Sequence, residues 1–215
     1  MKSEVVIFGS GGHAKVVYDI LLKEGLHTPV AFLSMDKNLK TFLGLPHYHH
    51  DELSKLKYDS GIIAIGDNWT RAKLAKIILT ENKNFIFVSA IHPSSQLGIG
   101  TVIGKGSVVM ANVAINPYCQ IGEHVIINTS SSVDHDCIVG NFSSIAPGAV
   151  LGGNVKVGEF SAISLGANVI HGKKVGNHSV VGAGSLVRND IEDYVVAYGS
   201  PCRVIRKRTE DEKYL

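Results

Sequence analysis

The stretch Val133-Asp134-His135-Asp136-Cys137 places one imidazole between two carboxylates. A histidine in that setting has its charged form favoured, and an acidic neighbour can orient one ring nitrogen while the other takes a proton, which is the equipment of a general base. Eighteen residues beyond His135 stands Gly153, preceded by Gly152, and eighteen further stands His171. If these positions stack, the peptide N–H of Gly153 lies beside the imidazole and can hold a developing oxyanion. Base and donor then flank one reacting carbonyl. A plainer reading stands beside this one, in which Asp134 and Asp136 only solvate an exposed corner and Gly153 only serves a turn.

A second cluster lies near the start. VVIFGSGGHAKVV carries Gly9, Gly11 and Ala14 in G-x-G-x-x-A spacing between a strand-like run and a helical stretch, with Gly12 and His13 beside them and Asp36 just past the second strand. Glycines so placed let a backbone approach phosphates at a helix N-terminus. Ninety residues offer little sheet for a full dinucleotide domain, so the diphosphate of a nucleotide-linked sugar is preferred to NAD. A purely structural tight turn is the alternative. GDNWTR, Gly66 to Arg71, follows a later strand, and Asn68 within it is a candidate to close over the nucleotide. His47, His49 and His50 form H-x-H-H in an expected loop, without a partner set that would complete a metal site, and no metal is expected.

The elements that must position these residues follow two different periods. Residues 1–90 alternate short apolar β-rich runs with helical stretches, the order of βαβ units around a small parallel, Rossmann-like sheet. Gly25 fits a helix C-cap, and Asp51 and either Asn68 or Thr70 fit N-caps. From Leu97 to Val187 an aliphatic residue recurs every six positions without a miss, and a small or β-branched residue usually stands four places after it. A period of six matches a short strand and a corner, repeated, with both sets facing inward. Three such sides make a triangular coil of 18 residues, and successive coils stack ~4.8 Å apart. Cys119 and Cys137 then become stacked core thiols, and the outward Val102, Val108, Ile126 and Val180 call for a partner surface.

NTSSSVDHDCIVGNFSSIAPGAVLGGNVKVG, with GSGGHAK near the start and GSPCRVIR near the end, resembles the NeuD/PglD-type sugar acyltransferases of the hexapeptide-repeat class. The resemblance implies an α/β plus all-β chain: a Rossmann-like acceptor domain over 1–90, a left-handed parallel β-helix over 91–192 and a C-terminal tail over 193–215. It implies acetyl-CoA as co-substrate, a nucleotide-linked 4-amino-4,6-dideoxy sugar as acceptor, and a homotrimer with sites between subunits. His135 is then the base, Asp136 its carboxylate partner and Gly153 the oxyanion amide. Gly9, Gly11, Gly12, His13, Asp36 and Asn68 meet the acceptor, and Gly153, Lys173, Arg203 and Arg206 meet the coenzyme. The chain departs from some relatives at Asp136, where they carry Glu, and at Ser144, where some carry a second histidine. The γ-class carbonic anhydrases share this β-helix, but the third zinc-binding histidine they need falls on Gly176. O-acetylation of a sialic or related sugar acid, and a non-catalytic β-helix scaffold, remain as alternative functions.

Lys and Arg number 21 against 19 Asp and Glu, with no basic block, so no nucleic-acid partner is expected. The apolar run Val5 to Phe8 is too short for a signal peptide and no segment reaches membrane-spanning length. The three cysteines match no C-x-x-C pattern. A cytoplasmic protein, away from membranes, is the expectation.

Overall fold

The structure, a computed structural model, describes residues 3–55 and 58–213. Its first part is a six-stranded sheet in the order β3-β4-β2-β1-β5-β6. The strands are β1 (Ser3–Phe8), β2 (His27–Ser34), β3 (Thr41–Phe42), β4 (Leu45–His49), β5 (Ser60–Ile63) and β6 (Ile86–Phe87), all parallel except for the β3–β4 pair. Val5 to Phe8 are all buried, as a parallel strand covered on both faces requires. Helix α1 (Gly12–Glu24) ends as expected on Gly25, at φ 67° in the left-handed region.

Three local expectations change. Helix α2 (Asn68–Glu81) is capped by Asp67, one residue before the candidates, because the Asp67 carboxylate accepts the Thr70 N–H at 2.8 Å. The Asp51 segment is a 3₁₀ helix, His50–Lys55. The H-x-H-H run is no loop: His47 and His49 lie in β4, where His47 pairs in register with Phe32 of β2.

From Ala90 the chain winds into a triangular prism of two-residue strands. One face holds eight strands, from Ala90–Ile91 to the final pair, and the other two hold six and five. Val109 stands opposite Ile127, and Val133 opposite Leu151, so every layer advances by 18 residues. Winding begins one repeat before the aliphatic series that opens at Leu97, since Ile91 stands opposite Val109. Leu97, in the first coil with no layer beneath it, remains 43% exposed. Inward serines are satisfied by the next layer: Ser107, Ser143 and Ser161 donate to the carbonyls of Gly122, Gly158 and Gly176 at 2.8, 2.6 and 2.6 Å. The segment expected as a tail is built into the eight-stranded face as Val195–Gly199 and Cys202–Lys207, and Ala197 and Cys202 enter the prism core.

The outward apolar residues also find a different cover. Val108 and Ile126 pack in one cluster with Ala14, Val17 and Leu21 of α1, and Val180 is buried too; only Val102 stays exposed. The chain's own first domain, not a second copy, covers that face. One prism edge carries a ladder the sequence reading missed: His124, Phe142, Phe160, His178 and Tyr194, all at positive φ, stack with ring centroids 4.6–5.3 Å apart. Phe87 and Trp69 of the first domain dock on it edge-on.

Candidate active site

His135 occupies the corner between the strands Ser132–Val133 and Ile138–Val139 and is half-exposed. Asp136, next along the corner, takes φ 58°, and its Oδ2 lies 2.7 Å from His135 Nδ1. In the neutral ring Nδ1–H donates to that carboxylate and Nε2 keeps its lone pair. This hydrogen bond, with the charges of Asp134 and Asp136 behind it, holds the imidazole above the usual histidine value. Asp134 is itself clamped. Its Oδ1 accepts from Asn116 Nδ2 at 2.6 Å and from the His135 N–H at 2.8 Å, which keeps its carboxyl below the usual range.

The next layer fulfils the stacking expectation. A Cβ on Gly153 would lie 2.6 Å from His135 Nε2 and 2.7 Å from Cε1, so the imidazole rests directly on the glycine and any side chain there would displace it. The Gly153 N–H neighbours the Asp134 carboxylate in this state. Cys119 and Cys137 brace the two layers from inside, donating to Asp134 O at 2.9 Å and Gly152 O at 3.2 Å. Burial pushes the Cys137 thiol up to about 12, which leaves it inert as a nucleophile. His171, exposed, lies one further layer up, and Lys173 shares that corner, half-buried. Arg203 and Arg206 lie exposed on the final strand, and Arg206 is ion-paired with Glu212.

The second cluster forms a cleft of about 690 Å³ whose lining includes Gly9, Gly11, Gly12, His13 and Asp36. Gly9 has φ 134° and a Cβ there would lie 2.6 Å from Ala64 O, so only glycine fits. Gly11 caps α1 with no side-chain acceptor and no acid stands in the first turn, which aims bare amides and the positive helix end at the cleft. Lys73 lines the same cleft from α2. A trough of about 640 Å³ shares His13 and Gly66 with this cleft and continues past Asn128 and Ser144 to Pro147 and Leu165 on the prism. His13 lies at the junction with its Nε2 buried and unpartnered, and burial, aided by Arg71, lowers it to about 4.

Asn68 does not line the cleft. It is 2% exposed, donates to Ser161 O at 3.2 Å and accepts from Ser144 Oγ at 2.7 Å and Arg71 Nη2 at 2.8 Å. Its role is to fasten α2 to the prism, and Ser144 is engaged in the same bond. Arg71 is fully buried and donates to the carbonyls of Ile65, Gly66, His124 and Phe142 at 2.9–3.0 Å. The signal for it was present: Arg71, Ala75 and Ile78 share one inward face of α2 at i, i+4, i+7 spacing.

A family model, the PglD N-terminal domain, matches residues 4–78. The UDP-N-acetylbacillosamine N-acetyltransferase of Bacillus subtilis is 37% identical over 114 residues, so the match spans 50% of this chain and about half, 51%, of that relative. The crystal structure of PerB from Caulobacter crescentus, in complex with CoA and GDP-perosamine, superposes with a TM-score of 0.89 at 39% identity over 95% of this chain and 98% of that one. The chain belongs to the NeuD/PglD-type sugar acetyltransferases. The acetyltransferase domain of PglB from Neisseria gonorrhoeae, in complex with acetyl coenzyme A, agrees at a TM-score of 0.87, 29% identity and 95% and 100% coverage. The prism is therefore the left-handed β-helix of the NeuD/PglD-type enzymes, joined to a Rossmann-like first part.

Proposed function

We propose that the protein transfers the acetyl group of acetyl-CoA to the amine of a nucleotide-linked 4-amino-4,6-dideoxy sugar. The observation that carries this is the His135–Asp136 pair lying on the bare Gly153 peptide. The sugar amine attacks the thioester carbonyl, and His135 Nε2 takes the proton the nitrogen sheds. Asp136 holds Nδ1 and stabilises the imidazolium that forms. The Gly153 N–H, which borders the Asp134 carboxylate, receives the oxyanion. The intermediate collapses to the amide, and His135 returns the proton to the departing CoA thiolate. Transfer is direct, since Cys137 faces inward.

The acceptor's diphosphate fits the glycine loop at the start of α1, with Asp36 placed for ribose hydroxyls and Lys73 for charge. The sugar then runs along the trough past His13 toward Asn128. Within one chain that trough follows the prism edge before the strand Ser132–Val133, whereas His135 stands on the edge after it. A cleft and a base on different edges meet when a neighbouring chain supplies one of them, which supports a homotrimer with sites between subunits. Lys173, on the His135 corner, and Arg203 and Arg206, exposed on the final strand, are the cations we assign to the coenzyme's phosphates. Three free buried thiols support a reducing compartment, the cytoplasm.

The test is CoA release with acetyl-CoA and a panel of GDP-, UDP- and dTDP-linked 4-amino sugars. Release with at least one of them, abolished by His135→Ala, supports the reading. Equal release by both proteins removes His135 as base, and acetylation of free sialic acid alone overturns the acceptor assignment.

A further inference from the structure

A part-buried polar chain runs from β4 to the glycine loop. His47, 5% exposed, has its Nδ1 3.0 Å from Leu39 O and its Nε2 2.8 Å from Ser34 Oγ. Ser34 Oγ lies 2.9 Å from Ser10 Oγ and receives the Asp36 N–H at 3.2 Å. Ser10 stands between Gly9 and Gly11 and lines the cleft.

The donors in this chain are determined by chemistry. A carbonyl only accepts, so His47 Nδ1 carries a proton, and in the neutral ring Nε2 must accept from Ser34. Ser10 then donates to Ser34, and the face Ser10 turns to the cleft offers lone pairs. A phosphate oxygen there meets lone pairs with lone pairs. For Ser10 to donate to a phosphate while keeping its bond to Ser34, the Ser34 hydroxyl must reverse, and Nε2 must then donate. Nδ1 still faces a carbonyl, so the imidazolium is the form that satisfies every partner.

We infer that Ser34 and His47 are positioning residues for the nucleotide sugar: diphosphate binding at the glycine loop reverses the hydroxyl chain and draws one proton from solvent onto His47 Nε2. This rests on the acceptor cleft proposed above. The charged neighbours on these bonds are Asp36, through its N–H to Ser34, and Lys40, whose carbonyl accepts the His47 N–H; His49, two residues along β4, is engaged with Asp51. His13, His50 and Lys73 line the same cleft, so the quantity that reports the relay is the difference between wild type and a Ser34 variant.

The experiment is calorimetric titration of the full chain with GDP-mannose, UDP-N-acetylglucosamine and dTDP-glucose, whose diphosphate diesters do not titrate near neutrality. Buffers of different ionisation enthalpy count the protons exchanged. Wild type takes up as much as one proton per site, and affinity falls with rising pH wherever that uptake occurs, by up to about tenfold per pH unit. Ser34→Ala binds with that uptake lost, and Ser34→Thr, which keeps the hydroxyl, restores it. Ring ¹⁵N spectra of the wild type give an independent reading, with Nε2 unprotonated in the free protein and protonated on saturation. Binding with no uptake, or uptake unchanged in Ser34→Ala, overturns the relay alone. Failure of all three nucleotide sugars to bind, with ring spectra unchanged, overturns the relay and the acceptor cleft together.

Discussion

His135 gives rise to two predictions at the scale of single side chains. Because Asp136 holds the imidazole above its ordinary value of 6.5, the proposed base becomes competent only as pH rises through that raised value. The ascending limb of kcat/KM against pH therefore lies above 6.5 in the wild type and moves to lower pH in Asp136→Asn, with a loss of rate; steady-state assays over pH 5.5–9 read both. Gly153→Ala puts a methyl carbon where His135 Nε2 now rests, so kcat falls by about 10²-fold or more. The corner opens to solvent, and the thermal midpoint of that variant stays near wild type. The pair itself was legible in the sequence, since a period of 18 fixes which residues stack. The Asn116–Asp134 clamp was not, because it depends on side-chain rotamers within the column.

Elements meet at the junction between α2 and the prism edge, and there the predictions concern stability. Arg71→Met removes a buried guanidinium and leaves carbonyls of both parts without their donor, at a cost of about 3 kcal/mol in urea unfolding. His13 and His124 titrate at about 4 when folded against 6.5 unfolded, both chiefly through burial. Between those values the unfolded chain binds more protons, so this contribution is whole above pH 6.5. It falls as the pH drops toward 4, by up to about 1.4 kcal/mol per pH unit for each group. Urea midpoints measured from pH 7 to 4.5 should decline along that slope, and less steeply in His124→Phe, which preserves the stack. The hexad was plain in the sequence because every inward position obeys it. The ladder of His124, Phe142, Phe160, His178 and Tyr194 was obscured because its members differ in type and Tyr194 breaks the spacing. Asn68 read as a nucleotide contact for a related reason: a polar residue opening a helix beside a cleft looks the same whether it faces a ligand or another domain.

At the scale of the whole molecule the question is assembly, because the proposed acceptor trough and the proposed base lie on different prism edges. Apolar outward residues were a weak guide to assembly, since α1 covers Val108 and Ile126 within the chain. Division of the site is the stronger argument, and it has a numerical consequence. Gly11→Trp fills the acceptor cleft from a position where a Cβ meets nothing within 4 Å, so the fold tolerates it while sugar binding is lost. His135→Ala removes the base and leaves the cleft. Each variant alone is inactive. When the two are co-expressed at equal levels and assemble at random, a site built from the cleft of one chain and the base of its neighbour is intact in about one case in four. Activity near a quarter of wild type, in particles sedimenting at three times the chain mass, establishes sites shared between subunits. Activity that stays at zero places cleft and base in the same chain, and the prism would then have to bring its two edges together by a movement of the first domain.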